Sequence, residues 1–124
     1  MGLNTARTEQ LRHLTLRSLN RIGKRQGVLF SQDLLFMRNA DVCTSMEAAK
    51  VAGIRHFQSL GYRVFAMVDN EPSNLAAIAR DHPDPYLLLL HADTIFESSA
   101  ADVPATAVCG REYDPDGLTH ERVA

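Results

Sequence analysis

The sequence predicts a Rossmann-like α/β fold, three layers deep (α/β/α), built on a small and mostly parallel sheet. Three observations lead there. Apolar runs at Gly27–Asp33 (GVLFSQD), Arg63–Glu71 (RVFAMVDNE) and Leu87–Asp93 (LLLLHAD) each end in acidic or imidazole side chains, as buried parallel strands do when a site lies past their carboxyl ends. The segments between the runs carry apolar residues at helical spacing. The joints are short and rich in glycine, proline and asparagine, which suits right-handed β-α-β crossovers.

Taken in order, the first element is a helix over about Thr5–Ile22, because Leu11, Leu14, Leu19 and Ile22 recur at helical spacing. Gly27 then admits the first strand near Val28–Ser31, and Leu34–Cys43 follows as an irregular stretch. A second helix starts at Thr44, since Thr44-Ser45-Met46-Glu47 fits a capping box. It ends near Leu60, with Gly61 free to take the left-handed conformation.

The second strand, Arg63–Val68, runs into Asp69-Asn70-Glu71-Pro72, a tight loop that opens the next helix with Asn70 as cap and Pro72 in the first turn. Leu75, Ile78 and Ala79 form that third helix's inner face. The turn Asp81-His82-Pro83-Asp84-Pro85 stops it, and a third strand occupies Tyr86–His91. Residues 27–98 thus form a β-α-β-α-β core behind a basic amphipathic helix at 1–25. Residues 99–124 form a tail with a further strand at Ala105–Tyr113 and a turn at Asp114–Gly117.

The 124 residues suit one domain or a piece of a larger one. With 45% hydrophobic and 23% charged residues, the composition is that of a folded globular chain. No run reaches the ~18 apolar residues of a membrane span, and the polar start does not read as a signal peptide, so a cytoplasmic location without membrane contact is expected. Cys43 and Cys109 lack the spacing of a zinc site or a disulfide scaffold.

The net charge of −2 is unevenly spread: Arg7, Arg12, Arg17, Arg21, Lys24 and Arg25 face only Glu9 in the first 25 residues. Two readings follow. The arginines are the solvated face of a helix packed on the sheet, or they meet a nucleic acid or another anionic surface. No recognised nucleic-acid motif accompanies them.

The strand ends supply the candidate site: Ser31, Asp33, Asp69, Asn70, Glu71, His91 and Asp93. Asp69, between a strand and a helix, is placed to hold magnesium together with Asp33 or Asp93, or to cap the helix. Glu71 suits the dipole of the first helical turn. His91 is a general base, a ligand or a packed core histidine. Neither GxxxxGK[ST] nor GxGxxG occurs, which disfavours those nucleotide-binding devices, and Ser31 lacks a GxSxG elbow.

The segment Lys50–Ala79, KVAGIRHFQSLGYRVFAMVDNEPSNLAAIA, resembles the later part of a haloacid-dehalogenase-like phosphohydrolase. There a lysine ahead of a helix is followed by an apolar strand ending in an acidic metal-binding motif, often with Asn-Leu opening the next helix. The resemblance implies that Lys50 neutralises a phosphoryl group and that Asp69 holds magnesium with Asn70 as its polar neighbour; Asp93, at the end of the next apolar run, is a further metal candidate by its position.

The family's nucleophile lies in an Asp-x-Asp motif, for which the nearest pattern is Ser31-Gln32-Asp33, with serine in the nucleophile's place. Ser31 read instead as the family's strand-end Ser/Thr lies too close to Lys50 for the usual helix and strand. An incomplete or catalytically degenerate domain is therefore expected, acting on a phosphorylated small molecule if active.

Two other readings stand beside it. One is a fragment of a (β/α)8-barrel phosphodiesterase-like enzyme. The other is a non-enzymatic interaction or oligomerisation module whose exposed sheet edge or basic first helix meets a partner. On any of these readings the small sheet leaves an edge for a helix, a second copy or missing chain to cover, so a homo-oligomer or a fragment of a longer chain is expected.

Overall fold

The computed structural model describes residues 1–111, and their fold is α/β with every strand pairing parallel. The strands form two small sheets. In the first, β1 (Leu3–Thr8) pairs with β2 (Leu35–Arg38), Leu3 lying opposite Leu35 and Thr5 opposite Met37. Helix α1 (Arg12–Gly23) lies on the crossover between them. In the second, β3 (Ala66–Asp69), β4 (Leu88–Asp93) and β5 (Val108–Arg111) stand in that order, with Asp69, His91 and Cys109 aligned across it.

Helix α2 (Met46–Ser59) connects the two sheets, and α3 (Pro72–Asp81) crosses from β3 to β4. The core is one cluster: Val51 and Ile54 from α2, Leu75, Ala77 and Ile78 from α3, Met67 from β3 and Leu89 from β4. Each large aliphatic side chain buried here contributes roughly 1.5–3 kcal/mol relative to exposure. Strand alternation sends the neighbouring residues to the other face of the sheet, where Val68, Leu88 and Val108 remain 62%, 45% and 52% exposed.

The amino-terminal third departs from expectation. Residues 3–8, expected as the start of a helix, form β1, and the helix begins at Arg12. The helical spacing starts only at Leu11, so nothing in Leu3–Thr8 resists extension once β2 offers a ladder. The buried face of α1 is also rotated from the expected one: Thr15 and Gly23 are buried, whereas Leu11, Leu14 and Ile22 are exposed.

Val28–Ser31, expected as a strand, is irregular, and the strand lies instead within the Leu34–Cys43 stretch. A side chain has taken the ladder's place: Asn20 Nδ2 donates to Phe30 O at 3.1 Å, and Phe30 N donates to Asn20 Oδ1 at 2.7 Å. Arg12 fixes the following turn by donating to Leu35 O at 3.0 Å.

Elsewhere the expected elements are present, with shifted ends. Ser45, not Thr44, caps α2, its Oγ accepting from Ala48 N at 3.1 Å. Gly61 has φ +92, the left-handed turn expected after that helix. Pro72 opens α3. The tail strand is β5, while Asp114–Gly117 lies outside the described residues. No helix among the described residues is long and apolar enough to cross a membrane.

Helix α2 meets β1 at close range through Gly53. A Cβ there would run into the side chain of Asn4, which is itself held by its Nδ2 donating to Lys50 O at 2.8 Å. Gly53→Ala should therefore destabilise the protein by about 1–3 kcal/mol in urea unfolding, overpacking outweighing the helix-propensity gain. Unchanged or increased stability would show that Asn4 is free to move aside.

Candidate functional site

The ends of β1 and β3 point to the same place. Thr5–Arg7 from the first, Asp69–Glu71 from the second, Met46, Lys50 and Asn74 from the helices, and Ile95–Glu97 from the loop after β4 enclose a cleft of ≈ 480 Å³.

At its base Lys50 Nζ meets Asp69 Oδ2 at 2.8 Å, their side chains only 15% and 3% exposed. The same ammonium donates to Asn4 O of β1 at 2.9 Å. A buried charge needs this degree of pairing, because leaving one partner alone in the interior costs several kcal/mol. The other oxygen of Asp69, Oδ1, accepts from Glu71 N at 2.9 Å and from Asn74 Nδ2 at 3.2 Å. Asp69 thus caps the β3–α3 loop, one of the two roles read from the sequence, and at the same time neutralises Lys50.

Asn74 is 5% exposed, and its Oδ1 has no hydrogen-bond partner among the described residues. Exchanging the amide's ends would turn oxygen toward the Asp69 carboxylate, so the orientation is set by that contact. An unpartnered buried amide oxygen beside a carboxylate is a hard-oxygen pair. A magnesium ion, which takes one or two carboxylates and keeps waters or phosphate oxygens for its other positions, would have to use these two groups.

The remaining candidates divide. Asn70 lines the cleft and donates from Nδ2 to Ile95 O at 2.6 Å. The Glu71 carboxylate accepts from Glu97 N at 3.0 Å, from Ser98 N at 2.8 Å and from Ser98 Oγ, so it straps the loop after β4 onto the start of α3.

His91 is 4% exposed; its Nε2 donates to Asn70 O at 3.1 Å and its ring packs edge-on against Phe96. That is the packed core histidine rather than a base facing the cleft. Asp93 is exposed and outside the cleft, two residues beyond the position that pairs with Asp69.

Ser31 and Asp33 sit at the amino end of β2, the edge opposite the cleft, where Asp33 N donates to Ser31 Oγ at 3.3 Å in a local turn. Reading Val28–Ser31 as the strand had put them at the wrong end. Asp33 and Asp93 therefore do not join Asp69, and no group of three or more His, Cys, Asp or Glu side chains suited to a metal forms among the described residues.

Among the polar residues of the cleft, Thr5, Arg7, Asn74 and Glu97 were not singled out as site residues from sequence. The β-branched threonines of LNTART were the available signal for Thr5 and Arg7, and the Asn-Leu after Asp69 for Asn74.

Burial opposes ionisation of Glu71, but the hydrogen bonds from Glu97 and Ser98 outweigh it and hold its carboxyl below the ordinary value of 4.5. The folded state then binds fewer protons than the unfolded one. The contribution is complete above that ordinary value and lost as pH falls through the lower, folded value. The stability gap between the wild-type chain and Glu71→Gln should accordingly shrink as pH drops through the acid range. A gap that stays constant with pH would show that Glu71 does not hold the loop as a carboxylate.

No family model, curated protein or solved structure matches the chain.

Proposed function

We propose that this chain is an incomplete or catalytically degenerate haloacid-dehalogenase-like phosphohydrolase domain whose cleft binds a phosphorylated small molecule together with magnesium. The observation that carries the reading is the buried Lys50–Asp69 pair at 2.8 Å. These are the two residues that the resemblance assigns to phosphoryl neutralisation and metal binding, and they come from separate elements to one point. Thr5 adds support: it lies within β1 and lines the cleft beside them, and α1 and β2 fill the interval between Thr5 and Lys50. Its place in the cleft and its longer spacing from Lys50 make it a better match than Ser31 for the family's hydroxyl residue.

The charges argue for joint binding. Lys50 and Arg7 stand in the cleft against Asp69, Glu71 and Glu97, so a phosphate dianion alone meets a net negative surface. Magnesium held by Asp69 and Asn74 Oδ1 would supply the missing positive charge. Lys50 then shares its donors between Asp69 and a phosphate oxygen, while Arg7 offers a second cationic contact at the mouth. Asp69 is the only aspartate lining the cleft among the described residues, and its engagement with Lys50 and Asn74 does not suit a nucleophile. Binding without turnover is the expected behaviour.

The second reading, a non-enzymatic interaction or oligomerisation module, draws on the exposed apolar face of Val68, Leu88 and Val108. The two separate at the cleft. Calorimetric titration with magnesium, with and without inorganic phosphate, should give saturable binding that phosphate strengthens. Asn74→Leu, which keeps the Lys50–Asp69 pair, should weaken the magnesium response without unfolding the chain. Absence of heat in both titrations of the wild-type chain would reject the phosphate reading.

A further inference from the structure

We infer that the phosphorylated ligand of the cleft is a monoester whose organic part is a small apolar group, alkyl or aryl, held against Met46 and Ile95. The head group rests on the phosphate reading above; the organic part is argued from the rest of the cleft.

The volume calls for an organic part. A phosphate and the three waters left on an octahedral magnesium ion that also holds Asp69 and Asn74 make seven oxygens, about 210 Å³ at the ~30 Å³ that a water molecule takes in the liquid. The cleft holds ≈ 480 Å³, inside the ~300–1,000 Å³ of small-molecule sites. More than half of it is left for whatever the phosphate carries.

The lining changes character with depth. Lys50 and Asp69 are buried at the base, whereas Met46 and Ile95 line the same cleft and are 51% and 90% exposed, so they stand at its open side. Ile95 is the most exposed large apolar side chain among the described residues. Its loop is nevertheless held. Asn70 Nδ2 donates to Ile95 O at 2.6 Å, Phe96 packs its ring edge-on against His91 with centroids 5.3 Å apart, and the amides of Glu97 and Ser98 donate to Glu71. A fixed main chain therefore presents Ile95 at the mouth.

The polar groups near it are engaged with the protein. Asn70 Nδ2 and the Glu71 carboxylate hold the loop, and Thr5 Oγ1 accepts from Arg7 N at 3.2 Å. A sugar or glycerol moiety would give up water for few new bonds. An apolar group instead takes the surfaces of Met46 and Ile95 out of water, which is favourable in proportion to the area covered.

Calorimetry of the whole chain in saturating magnesium tests this with three probes: inorganic phosphate, phenyl phosphate and glycerol 3-phosphate. Phenyl phosphate should bind at least ~10-fold more tightly than inorganic phosphate, a gain that needs about 55 Å² of buried apolar surface, a modest share of one ring. Glycerol 3-phosphate should gain less than ~3-fold, having little apolar area to bury. Ile95→Ser and Met46→Ser, both at exposed positions, should each lower the phenyl-to-phosphate ratio at least ~3-fold. Leu29→Ser, at a position 84% exposed and outside the cleft, should leave the ratio as it is.

Equal affinities for phosphate and phenyl phosphate would overturn the inference while the phosphate reading stands. An equal gain with glycerol 3-phosphate would overturn it too, because size and not apolarity would then decide. So would a phenyl preference that survives both Ile95→Ser and Met46→Ser, which would put the ring elsewhere. Binding of none of the three probes would remove the phosphate reading and the inference together.

Discussion

A lysine ammonium that is almost out of water must be fully paired, and the pairing of Lys50 organises this molecule. Its three protons allow three bonds, and two go to groups on different sheets: the carbonyl of Asn4 on β1 and the carboxylate of Asp69 on β3. Because Lys50 sits in the first turns of α2, the same side chain fixes where that helix lies over both strands. Gly53, one turn further along, lets the helix come close enough for Asn4 to reach Lys50 O. The cleft is a consequence of these constraints.

Asp69 carries the second half of the arrangement. A carboxylate at the end of a buried strand needs donors on both oxygens, and it finds them in Lys50, Glu71 N and Asn74 Nδ2. The turn that Asp69 closes also presents the carboxylate of Glu71 to the loop at Glu97–Ser98 and the side chain of Asn70 to Ile95. One wall of the cleft is therefore held by residues immediately following the one at its base. Asn74 Oδ1 and Asn4 Oδ1 are the buried side-chain oxygens of this network without a hydrogen-bond partner among the described residues.

The carboxyl-terminal part of the fold was legible in the sequence because its signals are local. The run ending in Asp69, the proline at Pro72, and Leu75 and Ile78 at helical spacing state a strand, a turn and a helix within about fifteen residues. The pairing of Lys50 with Asp69 was not legible, since spacing alone does not say which helical lysine turns inward. The amino-terminal third was not legible. β1 is short and half-polar, and what makes it a strand is its ladder to β2, thirty residues away. Gly27–Asp33 has the composition of a strand, yet Asn20 occupies the backbone groups of Phe30. That single substitution of side chain for ladder sent Ser31 and Asp33 to the opposite edge and hid Thr5 and Arg7.

The central claim is that the Lys50–Asp69 contact holds the two sheets in their present relation. A double-mutant cycle of Lys50→Met, Asp69→Asn and both together, read as unfolding free energy in urea, tests it most directly. Each single change should be costly because it leaves the other group buried without its partner, and the double variant should recover part of the loss, with a coupling of about 1–3 kcal/mol. Single variants as stable as the parent, with a coupling near zero, would contradict the account.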